Sequence, residues 1–212
     1  MDKAAFWDDR IAAWEASRYS WFSRFDPFSR TVRARMREAG RLVREDFKRH
    51  THILDLGCGG GLLARAVSDD HKRRYTGVDF SRTAVSAARC RFSLQAGRIR
   101  FELKNVLEGP GWEAPLIVFL GLLDWLDEAE MRTLFGRLNG DSLCFSFTEA
   151  DSGAAGLFYR RYRRVTDGIY RARDFSESQI VDAARSAGYR VDRVIRVSRL
   201  DPGRLVAASK LC

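Results

Sequence analysis

Apolar positions recur at helical spacing over the stretch before residue 50: Val32, Met36, Ala39, Val43 and Phe47 share one face, with Arg33, Arg37, Arg41, Arg44 and Lys48 around the rest. The pattern then changes. An apolar strand, Ile53-Leu54-Asp55-Leu56, runs directly into the turn Gly57-Cys58-Gly59-Gly60-Gly61. Beyond it, residues 62–68 read as a helix and Arg74-Tyr75-Thr76-Gly77-Val78-Asp79 as a second strand. Ser81 is placed to cap the next helix, which carries Cys90 and Phe92. Further strands are predicted over 99–103, 115–120 and 143–147, with a helix from about 128 to 138. Asp127 with Glu130, and Ser176 with Gln179, form capping-box signals at two helix starts, the second helix ending at Gly188. Strands over 189–197 and 204–209, turning at Pro202-Gly203, close the chain as a hairpin.

Alternating strands and helices imply an α/β domain with a mostly parallel sheet and right-handed crossovers, and the closing hairpin adds one antiparallel strand. Upstream, Phe6, Trp7, Ile11 and Trp14 suggest a short helix, followed by an aromatic connector of Trp21, Phe22, Phe25 and Phe28. Residues 1–50 are therefore expected to form a helical extension, placed as a lid on a domain spanning 51–212.

The glycine turn carries the chemistry. Glycine takes positive φ freely and has no Cβ, so the backbone at Gly57, Gly59 and Gly61 is able to turn tightly and approach a ligand closely. A dinucleotide fingerprint, G-x-G-x-x-G, would need glycine at position 62, which is Leu62. The pattern from Asp55 is instead D-x-G-x-G-x-G, and it resembles motif I of the class I S-adenosylmethionine (SAM) dependent methyltransferases. The resemblance implies a Rossmann-like, doubly wound sheet of seven strands with the last inserted antiparallel. It also implies SAM as methyl donor and S-adenosylhomocysteine (SAH) as product, with no metal.

On that resemblance Asp55, Gly57, Cys58, Gly59 and Gly61 cradle the methionine end of the cofactor, the carboxylate suiting its ammonium. Asp79 ends the second strand about twenty residues on, where an acidic side chain accepts hydrogen bonds from both ribose hydroxyls. Phe80 would flank the adenine. Asn105 stands where the family usually has an aspartate for the adenine amino group, and an amide oxygen still accepts that bond while its nitrogen donates. Val106 follows it, and Leu120-Gly121 would pass beneath the cofactor.

A sulfonium is already an activated donor, so positioning is the main catalytic task, and a base is needed only where the nucleophile must lose a proton. Asp124 and Glu149 are the carboxylates expected beyond the fourth and fifth main strands. Either is equally well read as a carboxylate bonded to nearby backbone N–H groups. His50, His52 and His71 fall before the first strand, at its start or in a charged loop, and receive no catalytic role. The segment 158–173 interleaves arginines and tyrosines. Arg160, Arg161, Tyr162, Arg164 and Tyr170, with Tyr19 from the extension, are candidates for holding an acceptor, the alternative being a solvated helix face.

Composition adds bounds. The 212 residues suit one domain, and the four cysteines form no C-x-x-C pair, which argues for reduced thiols. No apolar run approaches the roughly 20 residues that span a bilayer, and the N-terminus lacks a signal-peptide pattern, so a cytoplasmic protein is expected. The formal net charge of +9 admits nucleic-acid contact or an arginine-rich solvated surface. The leading expectation is methyl transfer to O or N of a small, anionic or lipid-like metabolite. An RNA methyltransferase is the alternative enzyme, and a non-catalytic cofactor-binding interaction protein the alternative of another class.

Overall fold

A computed structural model describes residues 5–9, 11, 27–150, 173–197 and 202–211, with the backbone alone described for 27–32. Helix α1 (Pro27–Glu45) buries Ala39, Leu42 and Val43 against the neighbouring α2 (Leu62–Val67). Between them runs β1 (His52–Leu56). The chain continues through β2 (Arg74–Asp79), α3 (Arg82–Arg91), β3 (Ile99–Leu103), β4 (Trp112–Glu113) and β5 (Leu116–Phe119). Then come α4 (Glu128–Phe135), β6 (Leu138–Asn139), β7 (Ser142–Thr148), α5 (Glu177–Ser186), β8 (Tyr189–Arg196) and β9 (Gly203–Lys210).

Seven strands form one sheet in the order β3-β2-β1-β5-β7-β9-β8. Neighbours from β3 to β7 are parallel, and β9 is antiparallel to both β7 and β8. The last strand is thus the inserted antiparallel one, as the sequence predicts. Alternation along the strands divides the core in two. Ile53, Tyr75, Val118, Cys144 and Leu205 face α1, α2 and α3, while Leu54, Val78, Ile117, Phe119, Phe145 and Val206 face α4 and α5. Phe119 and Phe145 stack at 4.7 Å, with Phe135 of α4 edge-on to both.

One expected helix is too long. The stretch predicted to be helical to residue 138 ends at Phe135, with Gly136 as C-cap, and Leu138–Asn139 pairs with Trp112–Glu113 as a second, two-stranded sheet. Trp112 N donates to Arg137 O at 2.8 Å, so the pairing begins as soon as the helix stops. The expected strands 115–120 and 143–147 are observed as Leu116–Phe119 and Ser142–Thr148.

From β1 the chain adds strands outward on one side, β2 then β3, and from β5 on the other. The order reverses between β1 and β5, and the carboxyl ends of the strands at such a reversal are where open α/β sheets bind ligands. Asp79 is the last residue of β2, and the glycine turn, Asn105, Gly121 and Glu149 follow the ends of β1, β3, β5 and β7.

Candidate active site

The glycine turn folds back on β2. Gly57 N and Cys58 N both donate to Val78 O, at 2.8 and 3.1 Å, and Gly61 N closes the turn on Cys58 O at 3.1 Å. Gly57, Gly59 and Gly61 have φ of 72°, 52° and 81°, the left-handed region that disfavours other residues. Space is short as well. A Cβ on Gly61 would lie 3.0 Å from the Phe101 ring, and one on Gly57 3.2 Å from Leu122 Cδ1. Gly77 in β2, which sequence reasoning passed over, makes room for Cys58: a Cβ there would sit 2.8 Å from the Cys58 sulfur.

Asp79 ties this turn to the end of β2. One carboxylate oxygen accepts from Gly59 N and the other from Ser81 N, each at 2.9 Å. Burial raises its pKa above the ordinary value, although those backbone bonds oppose the rise. Phe80 beside it is half-buried. Asp55 lies behind the turn, only 3% exposed, and accepts a hydrogen bond from the Tyr75 hydroxyl. Burial lifts its carboxyl to about 7, the Tyr75 bond opposing and the charge of Asp79 adding to the rise. Burial also keeps the Tyr75 phenol well above its ordinary pKa, so Tyr75 is the donor of the pair.

On the β3 side, Asn105 Oδ1 accepts from Leu107 N at 3.1 Å, and its Nδ2 donates to Glu108 at 2.8 Å. Val106 is buried, its carbonyl held by Trp112 Nε1 at 2.8 Å. On the β5 side, Leu120 is half-buried and Gly121 has φ of 73°, donating its N–H to Ser146 Oγ at 2.8 Å. Asp124, 7% exposed, accepts from Thr148 N at 2.9 Å through Oδ1, and its carbonyl accepts from Arg173 N at 2.6 Å. It fastens the turn after β5 to the end of β7. Glu149 is ion-paired with the buried Arg204 of β9. Tyr19, Arg160, Arg161, Tyr162, Arg164 and Tyr170 lie outside the described residues.

Residues 5–9 are helical and reach the same end of the sheet. Asp8 Oδ1 accepts from Ser81 Oγ at 2.6 Å and from Thr83 N at 3.0 Å. Trp7 meets Trp125 edge-on with centroids 4.7 Å apart, and Phe6 is buried. No local pattern marked Asp8, because its partners are more than seventy residues away. Among the described residues no cluster of three or more His, Cys, Asp or Glu is placed to hold a metal, and no helix is long and apolar enough to cross a membrane.

The strand order, the left-handed glycine turn and the acidic end of β2 together define a class I methyltransferase fold. Residues 53–139 match the family model described as "Methyltransferase domain". Over that segment, about two fifths of the chain, the protein is similar to methyltransferase domains, and its sheet has the class I methyltransferase fold. Among curated proteins it is similar to an O-methyltransferase of Aspergillus sclerotiorum, 31% identical over 61 residues, 28% of this chain and 23% of that protein. It is also similar to the ubiquinone biosynthesis O-methyltransferase of Coxiella burnetii, 36% identical over 55 residues, 26% of this chain and 23% of the relative. The matched segment thus spans about a quarter of each curated relative's length.

Among solved structures, the magnesium protoporphyrin IX methyltransferase of Synechocystis PCC 6803, with bound SAH, aligns with a TM-score of 0.68 at 16% identity, covering 95% of this chain and 100% of that one. Human N-acetylserotonin methyltransferase, in complex with SAM, aligns with a TM-score of 0.70 at 19% identity, covering 96% of this chain and 56% of that one. At these identities the likeness is one of fold.

Proposed function

We propose that the protein transfers the methyl group of SAM to a nucleophilic oxygen or nitrogen of a small molecule, leaving SAH. The observation that carries this reading is the Gly57–Gly61 turn, held in left-handed geometry and bonded through Gly59 N–H to Asp79. Such a turn offers close backbone approach to the amino-acid end of the cofactor, and Asp79 has oxygens that accept from ribose hydroxyls. Asp55 behind the turn supplies negative charge toward the ammonium once ionised. Asn105 and Val106 suit the adenine edge, Phe80 its face, and Leu120-Gly121 the floor beneath the methionine. The solved neighbours bind SAM or SAH in this fold, which supports the choice of donor.

Attack is in line with the departing sulfur, so the chain's main contribution is alignment, worth up to ~7–11 kcal/mol in well-organised sites. Where the acceptor must lose a proton, Asp124 is the carboxylate we assign to take it. Glu149, paired with Arg204, steadies the end of β7. We assign Arg160, Arg161, Tyr162, Arg164, Tyr170 and Tyr19 to acceptor binding, side-chain chemistry suited to an anionic or lipid-like molecule. Residues 1–50 serve as the lid and 51–212 as the catalytic domain, and we assign the protein to the cytoplasm.

Titration calorimetry tests the donor. SAH is expected to bind and NAD to give no heat at the same concentrations. Heat from NAD alone would overturn the reading. Labelled SAM incubated with metabolite extract then reveals the acceptor, and Asp124→Asn turning over at the wild-type rate across pH would remove Asp124 as base.

A further inference from the structure

Residues 5–9 touch two turns that the sheet keeps apart. Strand order sets β2 on one side of β1 and β5 on the other, so these turns are separated by about 10 Å, two strand spacings. Consecutive side chains reach both. Asp8 takes the Ser81 hydroxyl and the Thr83 N–H on the β2 bank, and Trp7 sets its ring against Trp125 on the β5 bank. The segment therefore joins the turn after β2 to the turn after β5, the two that flank β1 and its glycine turn.

We propose that Asp8 is a positioning residue that latches residues 5–9 across the two turns, retaining bound SAM or SAH and seating Trp7 against Trp125 as one wall of the acceptor's entry. The retention part rests on the SAM reading above. Ser81 is the N-cap of α3, and its Oγ already accepts from Ala84 N at 3.1 Å, so its proton is available to Asp8. Asp8 also satisfies the Thr83 amide, one of the N-terminal donors that a helix leaves unpaired. The first turn of α3 carries no acidic residue. Asp8 therefore supplies, from another part of the chain, the negative charge favoured at the positive end of that helix. Ser81 N–H is also one of the two backbone donors that fix Asp79, so the latch and the ribose-side carboxylate share one residue.

The test has two arms on the full chain. The first needs no ligand: hydrogen exchange at residues 81–84 is expected to speed up about tenfold in Asp8→Ala, the scale of a lost charge-assisted bond, with β7 amides unchanged. Asp8→Asn keeps an oxygen that accepts both bonds, and is expected to stay within about threefold of wild type. In the second arm, stopped-flow tryptophan emission follows SAH release, expected about tenfold faster in Asp8→Ala and near wild type in Asp8→Asn. If the wild type binds SAH and Asp8→Ala releases it at the wild-type rate, retention by Asp8 is overturned. If the wild type binds no SAH, the SAM reading fails instead, and unchanged exchange in Asp8→Ala then overturns the latch by itself.

Discussion

Asp55 sets a carboxyl group among apolar neighbours, and its charge state follows from that position. Its folded value is about 7 against an ordinary 3.8, so between those limits the folded chain holds a proton that the unfolded chain has released. Stability linked to this group is complete below about pH 4 and is lost as pH rises through 7. The displacement corresponds to roughly 4 kcal/mol at 1.36 kcal/mol per pH unit. Asp55→Asn, which keeps an acceptor for the Tyr75 hydroxyl, removes that loss. Melting temperatures measured from pH 5 to pH 8 are expected to rise for the variant relative to wild type as pH increases. His50 and His52 have pKa values lowered by burial and act with the opposite sign, losing stability as pH falls below 6.5. Both are present in both proteins, so they cancel in the difference. Parallel melting profiles would show that Asp55 stays ionised throughout. Cys144, pushed up to about 12 by burial, remains a neutral thiol over this range and does not disturb the comparison.

Helix α4 shows how an element is specified locally and then put to use. Asp127 Oδ1 accepts from Glu130 N at 2.8 Å, and Glu130 returns a bond to Asp127 N at 2.9 Å. The helix so started delivers Met131, Leu134 and Phe135 to the core beneath β5 and β7, and it begins just after the turn that carries Asp124 and Trp125. Asp127→Ala is expected to cost about 1 kcal/mol in denaturant unfolding, with an unchanged slope. A cost below about 0.3 kcal/mol would mean that packing alone starts the helix. Both capping boxes were legible in the sequence because donor and acceptor lie three residues apart. The glycine turn and Asp79 were legible for a similar reason, since spacing along adjacent elements determines them. Leu138–Asn139 was not: a two-residue strand has no period, and its partner lies at Trp112–Glu113. Nor was the pairing of Asp55 with Tyr75, because it depends on the β1–β2 register that sets Ile53 beside Tyr75. Asp8 was hidden most completely, as an ordinary acidic residue in an extension whose contacts exist only after the sheet has formed.

At the scale of the whole molecule, the net charge of +9 raises the question of an RNA partner, and the described arginines answer much of it. Arg73 donates to the carbonyls of Val43 and Arg44 and so caps the end of α1. Arg44 bonds Ala66 O, Arg89 bonds Phe101 O, Arg91 bonds Gly60 O, and Arg98 bonds Ser68 O, Asp70 O and Arg73 O. Arg41, Arg132, Arg190, Arg193 and Arg204 are paired with carboxylates. These guanidinium groups, among the described residues, bind the chain to itself. Single-stranded RNA is therefore expected to bind only in the range of about 10⁻⁴ to 10⁻⁶ M near 0.15 M salt, where non-specific contacts fall. The slope of log affinity against log salt should be no steeper than about −2, equivalent to roughly three phosphates at 0.7 each. Sub-micromolar binding with a slope near −4 would mean about six phosphates neutralised at once, and the proposed acceptor would then shift from a small molecule to RNA. Replacing Arg160, Arg161 and Arg164 with Gln locates the source of any such slope. If it collapses, the arginine-tyrosine segment is the RNA contact; if it persists, the contact lies elsewhere on the chain.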